Sequence, residues 1–402
     1  HVHGVSVVAI AEKFGTWNVV PSRFNRRIHV NTPVDFSGPA AASALLQNPA
    51  GNVALGTVNN CGSGPTPWGT YLTCEENFNG YFGATGAFAA TPEQARLGLN
   101  STGFGYAWHF FDERFDLSNP AFVNEANRFG WVVEIDPFDP LQKPVKRTAL
   151  GRFKHEAIAI GVAPDGRIAA YMGDDQTFDY CYKYISNRDW PSAIADGDSP
   201  LDDGKLYVAR FNDDGTGDWL ELTISNPLLA ARFSSQADIL INARIAGDIL
   251  GATPMDRPEW AAIGLNDSVF WTMTNNSGRR TPNAANPQAP NPDGHIIRTV
   301  DDGGFLGLTF RWDIYILASS TRGTENVFSD PDAAYADPFG RLFIGTDGGQ
   351  PDNIVEDQLV VFDTTQPNPQ PRRLLTGVAG DEVTGWAYTP DFRTAFTNLQ
   401  HP

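Results

Sequence analysis

The chain has 402 residues, and its 39 glycines and 29 prolines make it too rich in helix-breaking residues for a helical bundle. With 41% hydrophobic and 12% aromatic residues, it is not biased enough for a disordered chain. A net charge of −18 argues against nucleic acid or an anionic membrane surface as a partner, because both require a basic patch. No apolar run approaches the roughly 18 residues of a membrane span, so we expect a soluble chain.

A proline-based turn phrase recurs along the chain, each time before a short segment of β-branched or aromatic residues. The first strand is predicted over residues 5–10. The turn phrase predicts strands at residues 53–57, 168–172, 342–345 and 394–397, and further candidates are 131–135, 206–211, 269–274 and 359–362. Repeated small antiparallel meanders of this kind are typical of β-propellers.

Two insertions carry helix signals. Thr91 is a candidate N-cap, with Pro92 at the first helical position and Gln94 closing a capping box. Residues 237–250 place three isoleucines at four-residue spacing, and Gly251 follows as a stop signal. Residues 281–294 and 364–372 are predicted to be proline-rich loops. No shift in composition marks a domain boundary, so we expect one domain over residues 1–402.

Residues 59–80 carry the densest set of reactive side chains. A predicted glycine-rich loop contains Cys61, and a strand follows that ends in Cys74, Glu75 and Glu76. Because neighbouring strand residues point to opposite faces, Glu75 and Glu76 cannot both face one cavity of a regular strand. An isolated cysteine or Glu-Glu pair is most often a buried thiol or a solvated acidic pair. A Cys61–Cys74 disulfide is a further alternative.

Other carboxylates stand at strand ends and among prolines, and each alone is most often a solvated turn former. In a propeller, however, one edge of every blade faces a shared axis, so acidic residues from several blades can converge there. Such convergence is costly unless cations compensate for it, and hard cations accept oxygen ligands. The seven histidines show no zinc spacing, and the chain has neither a serine nucleophile elbow nor a Walker loop.

Six long motifs resemble the signatures of the PhoX-type alkaline phosphatases. In chain order they are NNCGSGPTPWGTYLTCEENFNGYFG, GRFKHEA, YMGDDQTFDYCYKYIS, LYVARFNDDGTGDW, GATPMDRPEW and TPDFRTAFTNLQHP, and the resemblance extends over residues 21–402. It implies an all-β fold, a six-bladed β-propeller-like single domain with helical and loop insertions. It also implies a cluster of iron (Fe3+) and calcium, hydrolysis of phosphomonoesters for phosphate acquisition, and twin-arginine export to the periplasm or outside the cell. The family has further sequence beyond both ends of this chain.

The resemblance also implies roles for individual residues. The thiolate ligand of iron falls on Cys61, and the cluster carboxylates fall on Glu76, Glu156 and Glu259. The catalytic contacts with the substrate phosphate fall on Asn79 and Arg257. By context alone, further calcium or cluster ligands are Asp174, Asp175, Glu325, Asp332, Asp347 and Glu382.

Elementary chemistry agrees with this assignment. Iron accepts thiolate and carboxylate ligands, whereas calcium takes oxygen alone. Several cations would reverse the sign of an acidic ring, polarise phosphoryl oxygens and supply a metal-bound oxygen nucleophile. The forked guanidinium of Arg257 can then bind two phosphate oxygens.

Two other functions remain open on such a fold, because the fold does not decide function. One is a calcium-dependent phosphodiesterase, phytase or lactonase, and the other is a non-catalytic surface or structural protein that keeps calcium for rigidity. If the chain is a phosphatase, we expect a monomer that acts on small-molecule phosphomonoesters.

Overall fold

A computed structural model describes residues 3–348 and 356–401, and most of their regular structure is β-strand. The chain divides into two compact units, each made of several chain segments. The first unit comprises His1–His155, Ser186–Leu206 and Leu222–Leu250, and the second comprises Glu156–Ile185, Tyr207–Glu221 and Gly251–Pro402. The single domain over residues 1–402 stays a prediction. None of the helices in the described part of the chain combines the length and apolar character that a membrane crossing requires.

The first unit combines short strands with helical insertions. Its strands are Gly4–Val7 (β1), Ile10–Lys13 (β2), Thr16–Val19 (β3), Arg26–His29 (β4), Asp35–Ser37 (β5), Asn60–Pro65 (β6), Tyr71–Glu75 (β7), Val132–Ile135 (β8) and Val145–Arg147 (β9). Its α-helices are Pro92–Arg96 (α1), Trp190–Ala195 (α2), Pro227–Ala230 (α3), Gln236–Ile241 (α4) and Ala243–Leu250 (α5). Its 3-10 helices are Ala44–Leu46, Phe78–Tyr81, Trp108–Phe110, Glu113–Phe115, Pro120–Phe122, Glu125–Arg128 and Thr148–Leu150. One sheet has the order β5-β9-β8-β7-β6, and β1 pairs with β4 and β2 with β3.

The second unit is built from antiparallel meanders. The remaining strands are His155–Val162 (β10), Ile168–Asp174 (β11), Cys181–Ser186 (β12), Gly204–Phe211 (β13), Thr216–Glu221 (β14), Pro258–Ile263 (β15), Ser268–Met273 (β16), His295–Asp301 (β17), Thr309–Leu317 (β18), Pro331–Ala336 (β19), Arg341–Thr346 (β20), Gln358–Asp363 (β21), Arg372–Thr376 (β22), Glu382–Tyr388 (β23) and Ala395–Gln400 (β24). Two 3-10 helices, Leu265–Asp267 and Ala318–Thr321, lie between them. The sheets have the orders β10-β11-β12-β13-β14-β18-β17-β16-β15, β19-β20-β21-β22 and β23-β24.

Strand β16 shows how the second unit forms its core. Trp271 and Met273 belong to one buried cluster, whereas Phe270 belongs to another that includes Leu342 and Phe362 of the next meander. Because side chains alternate along a strand, a strand that is buried along its whole length can supply both clusters at once. Strand β16 is therefore buried on both faces.

Most of the predicted elements are confirmed. The strands predicted at residues 131–135, 168–172, 206–211, 269–274, 342–345, 359–362 and 394–397 correspond to β8, β11, β13, β16, β20, β21 and β24. Residues 5–10, predicted as one strand, are divided, because β1 ends at Val7 and β2 begins at Ile10. Helix α1 has the predicted capping box, in which the Thr91 side chain and Gln94 satisfy each other's backbone donors.

Three predictions were wrong. Residues 53–57 contain only an isolated bridge between Leu55 and Pro33, because Gly56 has a φ of 83° and lies so close to Val30 that a Cβ would clash with its carbonyl oxygen. The predicted glycine-rich loop that carries Cys61 is strand β6. The predicted helix over residues 237–250 is two helices, α4 and α5. Asn242 interrupts them with non-helical dihedrals, and its side chain donates to the Asp238 carbonyl.

Candidate metal centre

Candidate ligands recur at one position of the strands. Cys61, Glu156, Glu259 and Asp332 are the second residues of β6, β10, β15 and β19, and Glu382 is the first residue of β23. In the second unit, four of these strands open successive meanders or hairpins. The same local position therefore supplies carboxylates from sequence segments that are far apart.

Three of these ligands lie in β-bulges. The pairing register shifts between Asn60 and Ser63 around Cys61, and between Pro258 and Ala261 around Glu259. The same shift occurs between Pro331 and Ala334, around Asp332. A bulge disrupts the ladder and turns a side chain away from the regular alternation, and bulges are common beside active sites.

A left-handed residue precedes each of these three strands. Asn59, Arg257 and Asp330 have φ values of 47°, 58° and 49°. Such values are uncommon in residues other than glycine, cost on the order of 1–3 kcal/mol each, and persist only where the surrounding structure imposes them. The recurring pattern is thus a left-handed residue, the first strand residue and then the bulged ligand.

Five carboxylates come together in the second unit. Glu156, Glu259 and Asp332 form one group, and Asp332, Asp347 and Glu382 form another. Within each group the ligand oxygens all lie within 4.8 Å of one another, and Asp332 belongs to both. Four of the five side chains are buried, and Asp347 is half-buried. Together these five residues are called the carboxylate row below.

The electrostatics of the carboxylate row call for cations. Burial raises the pKa of Asp332 well above its usual range, and repulsion from Glu156 and Glu382 adds to this. Burial, followed by repulsion from Asp347, raises the pKa of Glu382 to about 7. Within the described residues, Asp332 Oδ1 accepts no hydrogen bond. An all-oxygen donor set with this charge fits a hard cation such as calcium.

Arg257 lies against the carboxylate row. Its Nε donates to Asp175 Oδ1 over 2.8 Å, and one terminal nitrogen lies 2.6 Å from Glu259 Oε1 and 4.0 Å from Asp347 Oδ2. Burial lowers the pKa of Arg257, but the neighbouring carboxylates Glu259 and Asp175 outweigh it and raise the pKa overall. A charged guanidinium, oriented by Asp175 and Glu259, therefore lies beside the row, and such a group can bind an anion.

Further side chains, whose role no motif in the sequence had indicated, hold the carboxylate row in place. Trp260 Nε1 donates to Glu156 Oε1 over 3.1 Å, and Gln400 Nε2 donates to Glu382 Oε2 over 2.7 Å. Thr272 Oγ1 donates to the Asp332 carbonyl over 2.6 Å. Trp260 and Gln400 both lie within motifs of the family resemblance. The position of Trp260 directly after Glu259 was the sequence signal that could have identified it.

In the first unit, Cys61 and Glu76 form a thiol–carboxylate pair. The Cys61 Sγ and a carboxylate oxygen of Glu76 lie within 4.8 Å of each other. Such a mixed set suits iron better than calcium. The described residues contain no disulfide, so the Cys61–Cys74 alternative is not observed. Asn79 is buried, its Nδ2 donates to the Gly98 carbonyl over 3.1 Å, and its Oδ1 has no hydrogen-bond partner among the described residues.

Glu75 has a separate, structural role. It is fully buried and accepts Lys146 Nζ over 2.7 Å and the backbone N–H groups of Gly130 and Trp131. The expectation that Glu75 and Glu76 face different surroundings is confirmed. The alternative of a solvated acidic pair is wrong, because both carboxylates are buried.

Three predicted ligands lie outside the ligand groups found among the described residues. Asp174 is buried at the end of β11, Asp175 contacts Arg257, and Glu325 is exposed in the turn after residues 318–321. Their assignment as metal ligands stays a prediction.

Comparisons with known proteins agree with one another. The sequence profile described as alkaline phosphatase PhoX matches residues 1–402. A solved structure of Pseudomonas fluorescens PhoX in complex with vanadate, a transition state analogue, is 41% identical, with a TM-score of 0.93, and the match covers 99% of this chain and 75% of that one. Curated proteins gave no match. The structural match confirms the predicted all-β, propeller-like fold. The chain therefore belongs to the PhoX family of alkaline phosphatases and is an enzyme of that class.

Proposed function

We propose that this phosphatase hydrolyses phosphomonoesters with iron and calcium bound to the residues described above. Cys61 and Glu76 would hold iron, and the carboxylate row would hold calcium. The observation that carries the proposal is the row of five carboxylates beside Arg257, four of them buried, in which burial and repulsion from other carboxylates raise the pKa values of Asp332, Asp347 and Glu382. Without bound cations, the repulsion between these carboxylates would only destabilise the folded chain.

When bound, these cations would supply Lewis-acid polarisation of the phosphoryl oxygens and charge compensation for the phosphate dianion. Arg257 would bind two of the phosphate oxygens with its fork, while Asp175 and Glu259 hold the guanidinium plane. In the first unit, Asn79 uses one amide hydrogen for Gly98, and its amide group carries a second hydrogen for the substrate contact that the family resemblance assigns to it. The vanadate complex of the P. fluorescens relative supports phosphoryl-transfer chemistry for this chain.

We also propose that the enzyme works in the periplasm or outside the cell, where phosphate esters are scavenged. The family resemblance supports this, as does the calcium assignment, because calcium sites outside cells work at calcium concentrations far above those of the cytoplasm. Fractionation of the producing cells tests the location. Activity that stays in the cytoplasm of cells with an intact twin-arginine system would contradict it.

Metal analysis and turnover on one purified sample test the function. We expect iron and calcium to copurify with the chain, hydrolysis of p-nitrophenyl phosphate, and loss of turnover on calcium chelation with recovery on calcium addition. Calcium without iron and without turnover would contradict the proposal and favour a structural protein. Hydrolysis of a diester or lactone with none of a monoester would favour the other enzyme class.

A further inference from the structure

Asn77 directly follows Glu76 and stands at the N-cap of the 3-10 helix Phe78–Tyr81. Asparagine is among the preferred N-cap residues, yet its side chain makes no capping hydrogen bond here. Instead, Asn77 Nδ2 donates to Glu76 Oε1, and Asn77 Oδ1 accepts Lys154 Nζ over 3.1 Å. The amide thus links a buried lysine to a proposed iron ligand.

Lys154 belongs to the GRFKHEA motif, and the proposed function gives it no role. It is 4% exposed, and its Nζ lies 5.8 Å from the centre of the Phe104 ring. Burying an ammonium group is costly, so its position calls for an explanation.

The chemistry of the two groups sets the orientation of the amide. An ammonium group has only donors, so the amide must turn its oxygen to Lys154 and its NH2 group to Glu76. Without Lys154, the amide can rotate and present its oxygen to the carboxylate. Two acceptors would then face each other at the ligand, and the orientation of Glu76 would be lost.

We propose that Lys154 is a positioning residue for the metal ligand Glu76 and acts through the Asn77 amide. This inference rests on the proposed function, in which Glu76 binds metal. Residues that orient a ligand from outside the coordination sphere are typically worth 10–100-fold in metal affinity or activity.

The test compares Lys154→Met, which keeps the volume but removes the donor, with Lys154→Arg, which keeps a donor-only cation. Lys143→Met is the control, because Lys143 is an exposed lysine of the same unit that pairs with Asp35. The readouts are iron per chain, the chelator concentration that removes half of the metal, the thermal midpoint of the chelated protein, and kcat and KM separately.

We expect Lys154→Met to lose half of its metal at a tenfold or more lower chelator concentration, with kcat affected more than KM. Lys154→Arg should recover most of this loss, and Lys143→Met should match the wild type. A folded Lys154→Met that holds metal within twofold of the wild type would overturn the proposal. So would equal losses in the methionine and arginine variants, since these would indicate a packing role.

If Lys154→Met does not fold, Asn77→Ala is used to test the proposal instead, because it removes the donor to Glu76 and leaves Lys154 in place. A tenfold lower chelator concentration for removal of half of the metal supports the proposal, and an unchanged concentration overturns it. The wild-type sample tests the proposed function separately. A wild type without iron refutes the metal assignment, whereas an iron-containing wild type with indifferent variants refutes only the role of Lys154.

Discussion

Cys61 is the soft ligand that distinguishes an iron site from a calcium site in the proposed centre. Its thiol is half-buried in a bulge and lies next to the carboxylate of Glu76. A metal deprotonates a thiol outright, whereas a serine hydroxyl of almost the same size stays protonated and binds iron poorly.

Cys61→Ser is therefore expected to lose iron and at least 100-fold in turnover, with the unfolding free energy of the chelated protein changed by less than about 1 kcal/mol. Metal analysis, p-nitrophenyl phosphate hydrolysis and urea unfolding check this. Cys181→Ala is the control, because burial raises the pKa of the Cys181 thiol well above its usual value. Full activity in Cys61→Ser would refute the assignment of the iron ligand.

Asp175 offers a second test at the scale of one side chain, because two roles for it predict different results. As the partner of Arg257 it orients the guanidinium that binds phosphate. Asp175→Asn keeps an acceptor but loses the charge, so we expect KM for a phosphomonoester to rise about three- to tenfold with metal content unchanged. Loss of calcium instead would support the predicted ligand role. Asp165→Asn, at an exposed pair with Arg167, is the control.

At the scale of secondary structure, close approach between strands positions the ligands. Gly173 in β11 lies against β15 where that strand carries Glu259, and a Cβ at Gly173 would lie 2.0 Å from the Glu259 carbonyl oxygen. Gly345 in β20 meets Val383, next to Glu382, in the same way, at 1.9 Å. Glycine allows this backbone contact because it has no side chain.

Gly173→Ala should push the start of β15 outward. We expect a loss of about 1–3 kcal/mol in unfolding free energy, together with a calcium affinity at least tenfold lower. Gly278→Ala, whose new Cβ would meet only side chains at 3.3 Å and beyond, is the matched control. Thermal unfolding with and without calcium measures both effects. A Gly173→Ala protein with normal stability and calcium affinity would show that the contact is not needed.

At the scale of the whole molecule, the excess of acid makes stability depend on metal and pH together. In the chelated protein, the folded state keeps protons on Asp332, Asp347 and Glu382 at pH values where the unfolded chain has lost them. Their folded pKa values are raised above the unfolded values near 4. The contribution of these three groups to the free energy of unfolding is therefore greatest below about pH 4 to 5 and falls as the pH rises toward 7.

We expect the chelated protein to lose roughly 2–3 kcal/mol of unfolding free energy between pH 5 and pH 8 from this cause, and calcium to remove most of that loss. Urea midpoints at the two pH values, with chelator and with calcium, check it. Equal stability of the chelated protein at both pH values would mean that the carboxylate row is not strained without metal.

The local signals of the sequence predicted local structure well. Turn phrases, strand alternation and the Thr91 capping box depend on residues a few positions apart, so they can be interpreted without the fold. The same signals failed where a distant contact intervened. The close approach of Gly56 to Val30 excludes the strand predicted at residues 53–57. Pairing with β7 makes a strand, β6, of the segment around Cys61 that was predicted to be a loop.

For the site, the motifs supplied the residue types: a thiol, several carboxylates, and an arginine between prolines. Their convergence could not be deduced from spacing, because Glu156, Glu259 and Asp332 are separated by 103 and 73 residues along the chain and meet only when separate meanders pack together. Strand alternation separated Glu75 from Glu76, but the sequence did not show that Lys146 pairs with Glu75 or that Lys154 donates to the Asn77 amide. A buried charge must be paired, because an unpaired charge inside the protein is too costly to keep. Its partner is often distant in sequence, so only the tertiary structure decides which residues pair.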